Sequence, residues 1–325
     1  MTPKPVILKT RGLSKNFVVK PGFLGRAAQR LHAVSEVSLE VRKGETLGIV
    51  GESGCGKSTL GRLLVGLMKP TVGEVWISGK NISALPEASL RPLRKNFQMV
   101  FQDPYASLNP KMKAGNILAE PIRNFNPATR AVLERRIKEL LDRVGLPSSA
   151  ATRYPHEFSG GQRQRLSIAR ALALDPEIIV ADEAVSALDV SVQAQVLNLL
   201  SDLQKDLGLT YVFIAHDLGV VEHISDEVAV MYLGRIVEKG PVKSIFSAPA
   251  HPYTELLLRS VPQMEPGRHR RALEEAGELP SPMNLPHGCA FAGRCGRVTK
   301  ECRVMRPALT EIQERHFSAC YHPVA

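Results

Sequence analysis

The chain has 325 residues, enough for two domains or for one large domain with an appendage. Of these residues 44% are hydrophobic and 23% charged, a composition typical of a globular protein. No apolar run reaches the roughly eighteen residues of a membrane-spanning helix, and the apolar block at residues 6–8 is too short for a signal peptide, so we expect a cytoplasmic protein. The net charge of +10 is spread along the chain with few interleaved aromatic residues, which argues against a nucleic-acid partner.

The first fifty residues predict short strands. A stretch between residues 18 and 32, rich in glycine and basic side chains, is interpreted as a basic loop. Residues 46–50 form an apolar run that suits a buried strand, and residues 59–68 carry leucines at helical spacing.

The segment between that strand and that helix reads G-x-x-x-x-G-K-S, the pattern of a phosphate-binding loop. Glycines let backbone N–H groups approach phosphate oxygens, and the helix N-terminus adds its dipole. Lys57 is expected to reach the β- and γ-phosphates, and the Ser58 hydroxyl to ligate Mg²⁺. The predicted ATP-binding residues here are Gly51, Ser53, Gly54, Cys55, Gly56, Lys57, Ser58 and Thr59.

The middle of the chain predicts strands at residues 73–79 and 97–101, with a short helix between them. Residues 112–152 are helical in pattern, so a helical subdomain interrupts the strand–helix alternation. A further helix is predicted at residues 161–173.

Two carboxylates follow the next predicted strand, an apolar run at residues 177–181. An acid at the end of a buried strand beside a phosphate loop can hold Mg²⁺, which is the role expected of Asp182. A second acid can polarise the attacking water, the role expected of Glu183. After a helix at 192–207 and a strand at 211–215, the alternation indicates an α/β core with a parallel sheet.

The last sixty residues differ in composition. Prolines in residues 262–288 indicate an extended linker, and four of the five cysteines follow it. Clustered cysteines in a reducing compartment favour a metal over disulfides. The spacing leaves a zinc ion, a [4Fe–4S] cluster and plain reduced thiols open, and His316 and His322 keep a mixed zinc site possible. The candidate ligands are Cys289, Cys295, Cys302 and Cys320.

Residues 158–162, F-S-G-G-Q, resemble the LSGGQ signature of ATP-binding-cassette (ABC) ATPases, with Phe158 in place of the usual leucine. In that family the signature of one subunit closes over the nucleotide of its partner. The resemblance therefore implies a second ABC ATPase subunit as a partner, by homodimer or sibling heterodimer. The signature residues that it assigns to nucleotide contact are Ser159, Gly160, Gly161 and Gln162.

The remaining family motifs are matched residue by residue. Phe17 is the candidate for adenine stacking, and Gln102 matches the Q-loop glutamine that senses Mg²⁺ and faces the membrane partner. Asp189 ends the D-loop motif, and His216 matches the switch histidine that contacts the γ-phosphate. Ala184 departs from the family, which usually has proline after the catalytic glutamate.

Longer segments are similar to the oligopeptide/dipeptide (peptide/nickel-type) importer branch, at residues 99–110, 154–158, 186–195 and 251–254. The resemblance implies a P-loop core with a parallel sheet, an antiparallel β subdomain and an inserted helical subdomain at about 104–165. It also implies an ABC nucleotide-binding domain over 1–260 and a Pro/Cys-rich extension over 261–325.

The implied function is that of an ATP-hydrolysing motor subunit that energises peptide uptake from the cytoplasmic face of the cell membrane. Two transmembrane permease subunits and, indirectly, an external solute-binding protein are the implied partners, and the cysteine tail implies a [4Fe–4S] cluster, with zinc as the alternative. The competing hypotheses are a cassette ATPase that acts on DNA or ribosomes, a metal-binding regulator, and an importer of nickel chelates or glutathione.

Overall fold

Two β-sheets organise the described part of the chain. The computed structural model describes residues 4–20, 29–125, 129–260, 281, 283 and 285–324. Its strands are β1 (Val6–Lys20), β2 (Gln29–Val37), β3 (Glu40–Arg42), β4 (Thr46–Val50), β5 (Val72–Ile77), β6 (Lys80–Asn81), β7 (Phe97–Val100), β8 (Ile178–Asp182), β9 (Thr210–Ile214), β10 (Glu227–Tyr232), β11 (Arg235–Pro241), β12 (Thr310–Gln313) and β13 (His316–Ser318).

The larger sheet has the order β12-β13-β11-β10-β4-β9-β8-β7. The strands from β10 to β7 run parallel, and β11, β13 and β12 extend the sheet antiparallel. Every residue of β4, β8 and β9 is buried, as expected for parallel strands covered on both faces. The predicted α/β core with a parallel sheet is confirmed.

The smaller sheet is antiparallel, with the order β2-β1-β5-β6 and with β3 paired to β1. Its apolar face forms a second hydrophobic core together with one face of the larger sheet. The β1–β2 pairing places Phe17 opposite Leu31. This sheet is the antiparallel β subdomain that the family resemblance implies.

The helices cover the larger sheet and form a cluster beyond β7. They are α1 (Lys57–Leu64), α2 (Glu87–Leu90), α3 (Pro104–Ser107), α4 (Ala114–Phe125), α5 (Arg130–Arg143), α6 (Gly160–Leu172), α7 (Val190–Leu207), α8 (Leu218–Ile224), α9 (Val242–Ser247), α10 (Pro252–Ser260) and α11 (Lys300–Val304). Short 3₁₀ segments at Arg91–Asn96, Ser148–Thr152 and Pro155–Glu157 complete the helical structure. Within the part of the chain that is described, no helix is long and apolar enough to cross a bilayer.

Part of the predicted basic loop is instead β-structure. Residues 18–20 extend β1 and residues 29–32 begin β2, whereas residues 21–28 lie outside the described residues. Val18 and Val19 are exposed in this hairpin, and the strands therefore lack the buried apolar alternation that marks a strand in sequence. Cross-strand hydrogen bonds, which a local pattern does not reveal, set the structure here.

The C-terminal extension adds strands that the sequence pattern did not predict. Most of the predicted linker at 262–288 lies outside the described residues, but β13 pairs with β11 at the edge of the larger sheet. The His316 Nε2 atom lies 2.7 Å from the Glu238 Oε1 atom, and these side chains are 2% and 0% exposed. Glu238 also accepts hydrogen bonds from the backbone N–H groups of Ala250 and His251. A buried polar network therefore joins the extension to the core.

Removal of one partner from a buried, hydrogen-bonded pair leaves the other without compensation. We predict that His316→Ala lowers the free energy of unfolding by on the order of 3 kcal/mol. Urea unfolding of the full chain measures it, with His223→Ala at an exposed site on α8 as the control. Equal stability of the two variants would show that the pair does not hold the extension to the core.

Candidate nucleotide site

One cavity gathers most of the predicted ATP-binding residues. It lies beyond the carboxyl ends of the parallel strands, where β4 passes through the phosphate loop into α1. Open α/β sheets bind ligands in this position. The lining residues are Phe17, Leu31, His32, Ala33, Ser53, Gly54, Cys55, Gly56, Lys57, Ser58, Thr59, Gln102, Glu183, Leu233 and Gly234.

The backbone of the phosphate loop packs directly against two other strands. Gly51 has φ 153° and Gly56 has φ 106°, a region that glycine alone adopts readily. A Cβ atom at Gly51 would lie 2.1 Å from the Met231 carbonyl oxygen, and one at Gly56 would lie 2.0 Å from the Ala33 carbonyl oxygen. Both positions therefore exclude any side chain.

Lys57 is nearly buried, at 4% exposure, and begins α1. Its ammonium donates to the carbonyl oxygens of Gly51, at 2.7 Å, and Glu52, at 3.0 Å. The charge thus sits inside the loop, beside the backbone N–H groups of the helix N-terminus. Both features favour an anion such as a triphosphate at this position.

Ser58 and Asp182, two of the three predicted magnesium ligands, are adjacent, whereas the third, Gln102, bonds to Glu183. The Ser58 hydroxyl donates to the Asp182 carboxylate at 2.8 Å, at the carboxyl end of β8. Burial raises the pKa of the Asp182 carboxyl above its ordinary value of 3.8, although the hydrogen bond from Ser58 lowers it. A hydroxyl and a carboxylate are hard oxygen ligands, so these two residues fit Mg²⁺.

Glu183 is held at the mouth of the same cavity. Its carboxylate accepts a hydrogen bond from the Gln102 side-chain amide at 2.7 Å, and the His216 Nδ1 atom lies 3.7 Å away. The backbone of Glu183 has φ 48°, an unusual value for a residue with a side chain, and its N–H donates to the Ile214 carbonyl. Ala184, at the position where the family usually has proline, is buried.

Several lining residues were not among the sequence-predicted set. Leu31, His32 and Ala33 lie opposite Phe17 on the β2 side of the hairpin, and Leu233 and Gly234 form the turn between β10 and β11. They reach the cavity through long-range strand pairing. The sequence carries no motif at these positions that could have identified them.

The signature residues and Asp189 do not line this cavity. Ser159 caps α6 in a capping box. The Ser159 hydroxyl accepts a hydrogen bond from the Gln162 backbone N–H at 3.3 Å, and the Gln162 side-chain oxygen accepts one from the Ser159 backbone N–H at 3.2 Å. A Cβ atom at Gly161 would meet Val192 at 2.5 Å, so the helix start packs against the segment after Asp189. Ser159 and Asp189 are both exposed.

The tail cysteines come together around a second, smaller cavity. Backbone N–H groups of Arg297 and His322 donate to cysteine sulfur atoms at 3.4 Å. Across the described residues, no set of three or more His, Cys, Asp or Glu side chains forms a group that could hold a metal ion. The [4Fe–4S] cluster therefore stays a prediction. The cavity lining includes Cys289, Cys295, Cys302, Cys320 and His322.

The protonation of these thiols and the position of His316 decide which side chains are available to a zinc ion, the alternative to the cluster. Burial raises the pKa of the Cys320 thiol to about 11 and also raises that of Cys289. In the absence of a bound cation, both are therefore protonated at neutral pH. His316 bonds to Glu238 and is absent from the cysteine cavity, whose lining instead includes the imidazoles of His251 and His322.

The burial of Asp182 predicts how the stability of the folded protein depends on pH. A carboxyl whose pKa rises on folding destabilises the folded state at pH values above its unfolded pKa. We predict that Asp182→Asn raises the thermal midpoint of the nucleotide-free protein at neutral pH, and that this gain shrinks as the pH falls toward 3.8. The same variant should lose Mg²⁺-dependent ATP binding, because a neutral amide replaces the charged ligand.

Thermal melts at several pH values measure the effect, with the exposed Asp202→Asn on α7 as the control. If Asp182→Asn has a lower thermal midpoint than Asp202→Asn at neutral pH, the cost of burying the Asp182 charge does not outweigh the interactions that stabilise this carboxylate.

Comparison with known proteins identifies the family of this site. The ABC transporter family model matches residues 34–186, and the model for the oligopeptide/dipeptide transporter C-terminal region matches residues 237–302. Among solved structures, a dimeric ATP-binding cassette bound to ADP and Pi in a post-hydrolysis state has a TM-score of 0.65 at 28% identity, and covers 73% of this chain and 99% of its own.

Relatives match over nearly the whole chain. The dipeptide transport ATP-binding protein DppF of Haemophilus influenzae is 50% identical, over 97% of this chain and 96% of its own length. The oligopeptide transport ATP-binding protein AppF of Bacillus subtilis is 51% identical, over 97% of each chain. The chain therefore belongs to the ATP-hydrolysing subunits of ABC transporters, in the branch that carries the oligopeptide/dipeptide transporter C-terminal region.

Proposed function

We propose that this chain is the ATP-hydrolysing motor subunit of an importer that carries di- or oligopeptides across the cytoplasmic membrane. The observation that supports this most strongly is the carboxylate of Glu183, held by Gln102 at the mouth of the phosphate-loop cavity. Relatives named for dipeptide and oligopeptide transport favour peptides over nickel chelates or glutathione as the cargo.

In this proposal different residues of the cavity bind the nucleotide and promote its hydrolysis. Phe17 stacks on adenine, and Lys57 binds the β- and γ-phosphates. Ser58 and Asp182 would hold Mg²⁺, which would neutralise developing charge on the phosphates. Glu183 accepts a proton from the attacking water.

A neighbouring pair of side chains controls the position of Glu183. Gln102 donates to its carboxylate, and the His216 Nδ1 atom lies 3.7 Å from the same carboxylate. In this proposal His216 also contacts the γ-phosphate. Glu183 follows the end of β8 with a positive φ, and its side chain lines the same cavity as the phosphate loop.

The exposed signature supports a partner in the motor. Ser159 and the glycines after it open a helix, an arrangement that binds anions, yet they do not line this chain's own cavity. We infer that they close over the nucleotide of a second, sibling ATPase, and that Asp189 lies at the same interface. ATP must then bind the closed dimer more tightly than the open one.

The membrane partners follow from the same proposal. Two permease subunits hold the ATPase pair at the cytoplasmic face, and an external solute-binding protein delivers the peptide. The surface around Gln102, where the exposed Tyr105 lies beneath the Arg163 guanidinium, transmits closure to the permeases.

Replacement of the Glu183 carboxylate tests whether ATP hydrolysis by this chain drives peptide uptake. In cells that lack this chain, we expect the wild type to restore uptake of a labelled dipeptide, and Glu183→Gln to leave uptake at the background level. The purified variant, with its sibling ATPase, should bind MgATP and accumulate as a dimer on size-exclusion chromatography. Uptake or ATP turnover at the wild-type rate in Glu183→Gln would remove Glu183 from this role.

We further propose that residues 261–325 form an extension distinct from the nucleotide-binding domain at 1–260, and that its cysteines hold a [4Fe–4S] cluster. All four line one cavity, and two backbone N–H groups donate to their sulfur atoms, as is common around cysteine-bound iron. The cluster would be structural, because it lies outside the nucleotide cavity.

Metal analysis tests the cluster. Anaerobically purified protein should be brown and carry about four irons per chain with matching acid-labile sulfide. Cys302→Ser should lose the iron, whereas Cys55→Ser, in the phosphate loop, should keep it. Colourless protein with about one zinc per chain would overturn the cluster and leave the zinc alternative.

A further inference from the structure

A bidentate ion pair joins the C-terminal extension to the phosphate loop. The two terminal nitrogens of the Arg294 guanidinium each donate to one carboxylate oxygen of Glu52, both at 2.9 Å. The Arg294 side chain is 8% exposed, and that of Glu52 is 24% exposed. Such fork-to-fork pairs fix orientation as well as distance, because two parallel hydrogen bonds allow little rotation.

Arg294 is itself held rigidly. Its backbone N–H donates to the Phe291 carbonyl at 2.9 Å, and its guanidinium lies 5.7 Å from the Phe291 ring and 5.9 Å from the Tyr232 ring. The hydrogen bonds to Glu52 raise the pKa of the guanidinium still further, so it is charged at every relevant pH. Arg294 immediately precedes Cys295, which places it on the turn that lines the cysteine cavity.

Glu52 is fixed a second time through its backbone. Its N–H donates to the hydroxyl of the fully buried Tyr253 at 2.9 Å, and the Tyr253 ring packs against Tyr232 and Phe291. Its carbonyl oxygen accepts from the Lys57 ammonium at 3.0 Å. The peptide groups that flank Glu52 are therefore oriented from both sides, and one of them holds the lysine that meets the phosphates.

We propose that Arg294 is a positioning residue for nucleotide binding, through which the C-terminal extension holds the phosphate loop in its anion-binding shape. The proposal rests on the ATPase role of the loop and assigns the extension a part in it. A loop that is already shaped pays less conformational entropy when the nucleotide binds. By linkage, bound nucleotide must then stabilise the extension by the same free energy.

Nucleotide affinity of the full chain tests this. MgATP dissociation constants would be measured on anaerobically purified protein at equal iron content. We expect Arg294→Ala to weaken affinity by roughly tenfold, the usual scale for a charge-assisted hydrogen bond. Arg294→Lys should weaken it nearly as much, because an ammonium keeps the charge but cannot form the fork. Arg303→Ala, at an exposed arginine of α11, should bind as the wild type does.

Two further measurements separate positioning from a general loss of structure. Adding Glu52→Gln to Arg294→Ala should cost no more affinity than Arg294→Ala alone, because the two side chains act as one unit. In the wild type, MgATP should slow amide hydrogen exchange at residues 289–302. Arg294→Lys should abolish that slowing and keep the wild-type melting temperature of the nucleotide-free protein.

Wild-type MgATP affinity in Arg294→Lys would show that only the charge of residue 294 matters, and would overturn the proposal. An amide hydrogen-exchange rate at residues 289–302 that does not change when MgATP binds would overturn it as well. A wild-type chain that bound no MgATP would instead contradict the ATPase role, a separate result.

Discussion

The close approach of the phosphate loop to the Ala33 and Met231 carbonyl oxygens is the constraint on which the rest of the structure depends. It brings the β2 hairpin, the β10–β11 turn and the end of β4 together. The Gly234 backbone N–H also donates a hydrogen bond to the Cys55 carbonyl oxygen, at 2.8 Å. Only glycine permits that approach at Gly51 and Gly56. The nucleotide cavity is the space that remains between these three elements.

The C-terminal extension is built into the same framework. Its strand β13 lengthens the sheet, the buried Glu238–His316 pair holds that strand, and Arg294 reaches the phosphate loop. The extension thus contacts the edge of the sheet and the nucleotide site at once. A change in the conformation of the extension can therefore reach the nucleotide site through the Arg294–Glu52 contact.

Sequence predicted the parts of the site that depend on local chemistry. Lys57, Ser58 and the pair at 182–183 follow buried strands at fixed spacing, and the sheet brings them together because its parallel strands end at one edge. Arg294 and the β12–β13 hairpin could not be predicted in this way. Their partners, Glu52 and β11, are distant in the chain, and a lone arginine or a short polar strand has no periodicity that specifies its partner.

The most direct test of this account is a calorimetric titration of MgATP into Gly56→Ala. A Cβ atom there would displace the loop from Ala33, so the variant should stay folded but lose detectable binding. Gly208→Ala, at the left-handed residue that ends α7, has open space around its Cβ and should bind MgATP as the wild type does. Wild-type affinity in Gly56→Ala would contradict the claim that the loop's contact with its neighbouring strands creates the nucleotide site.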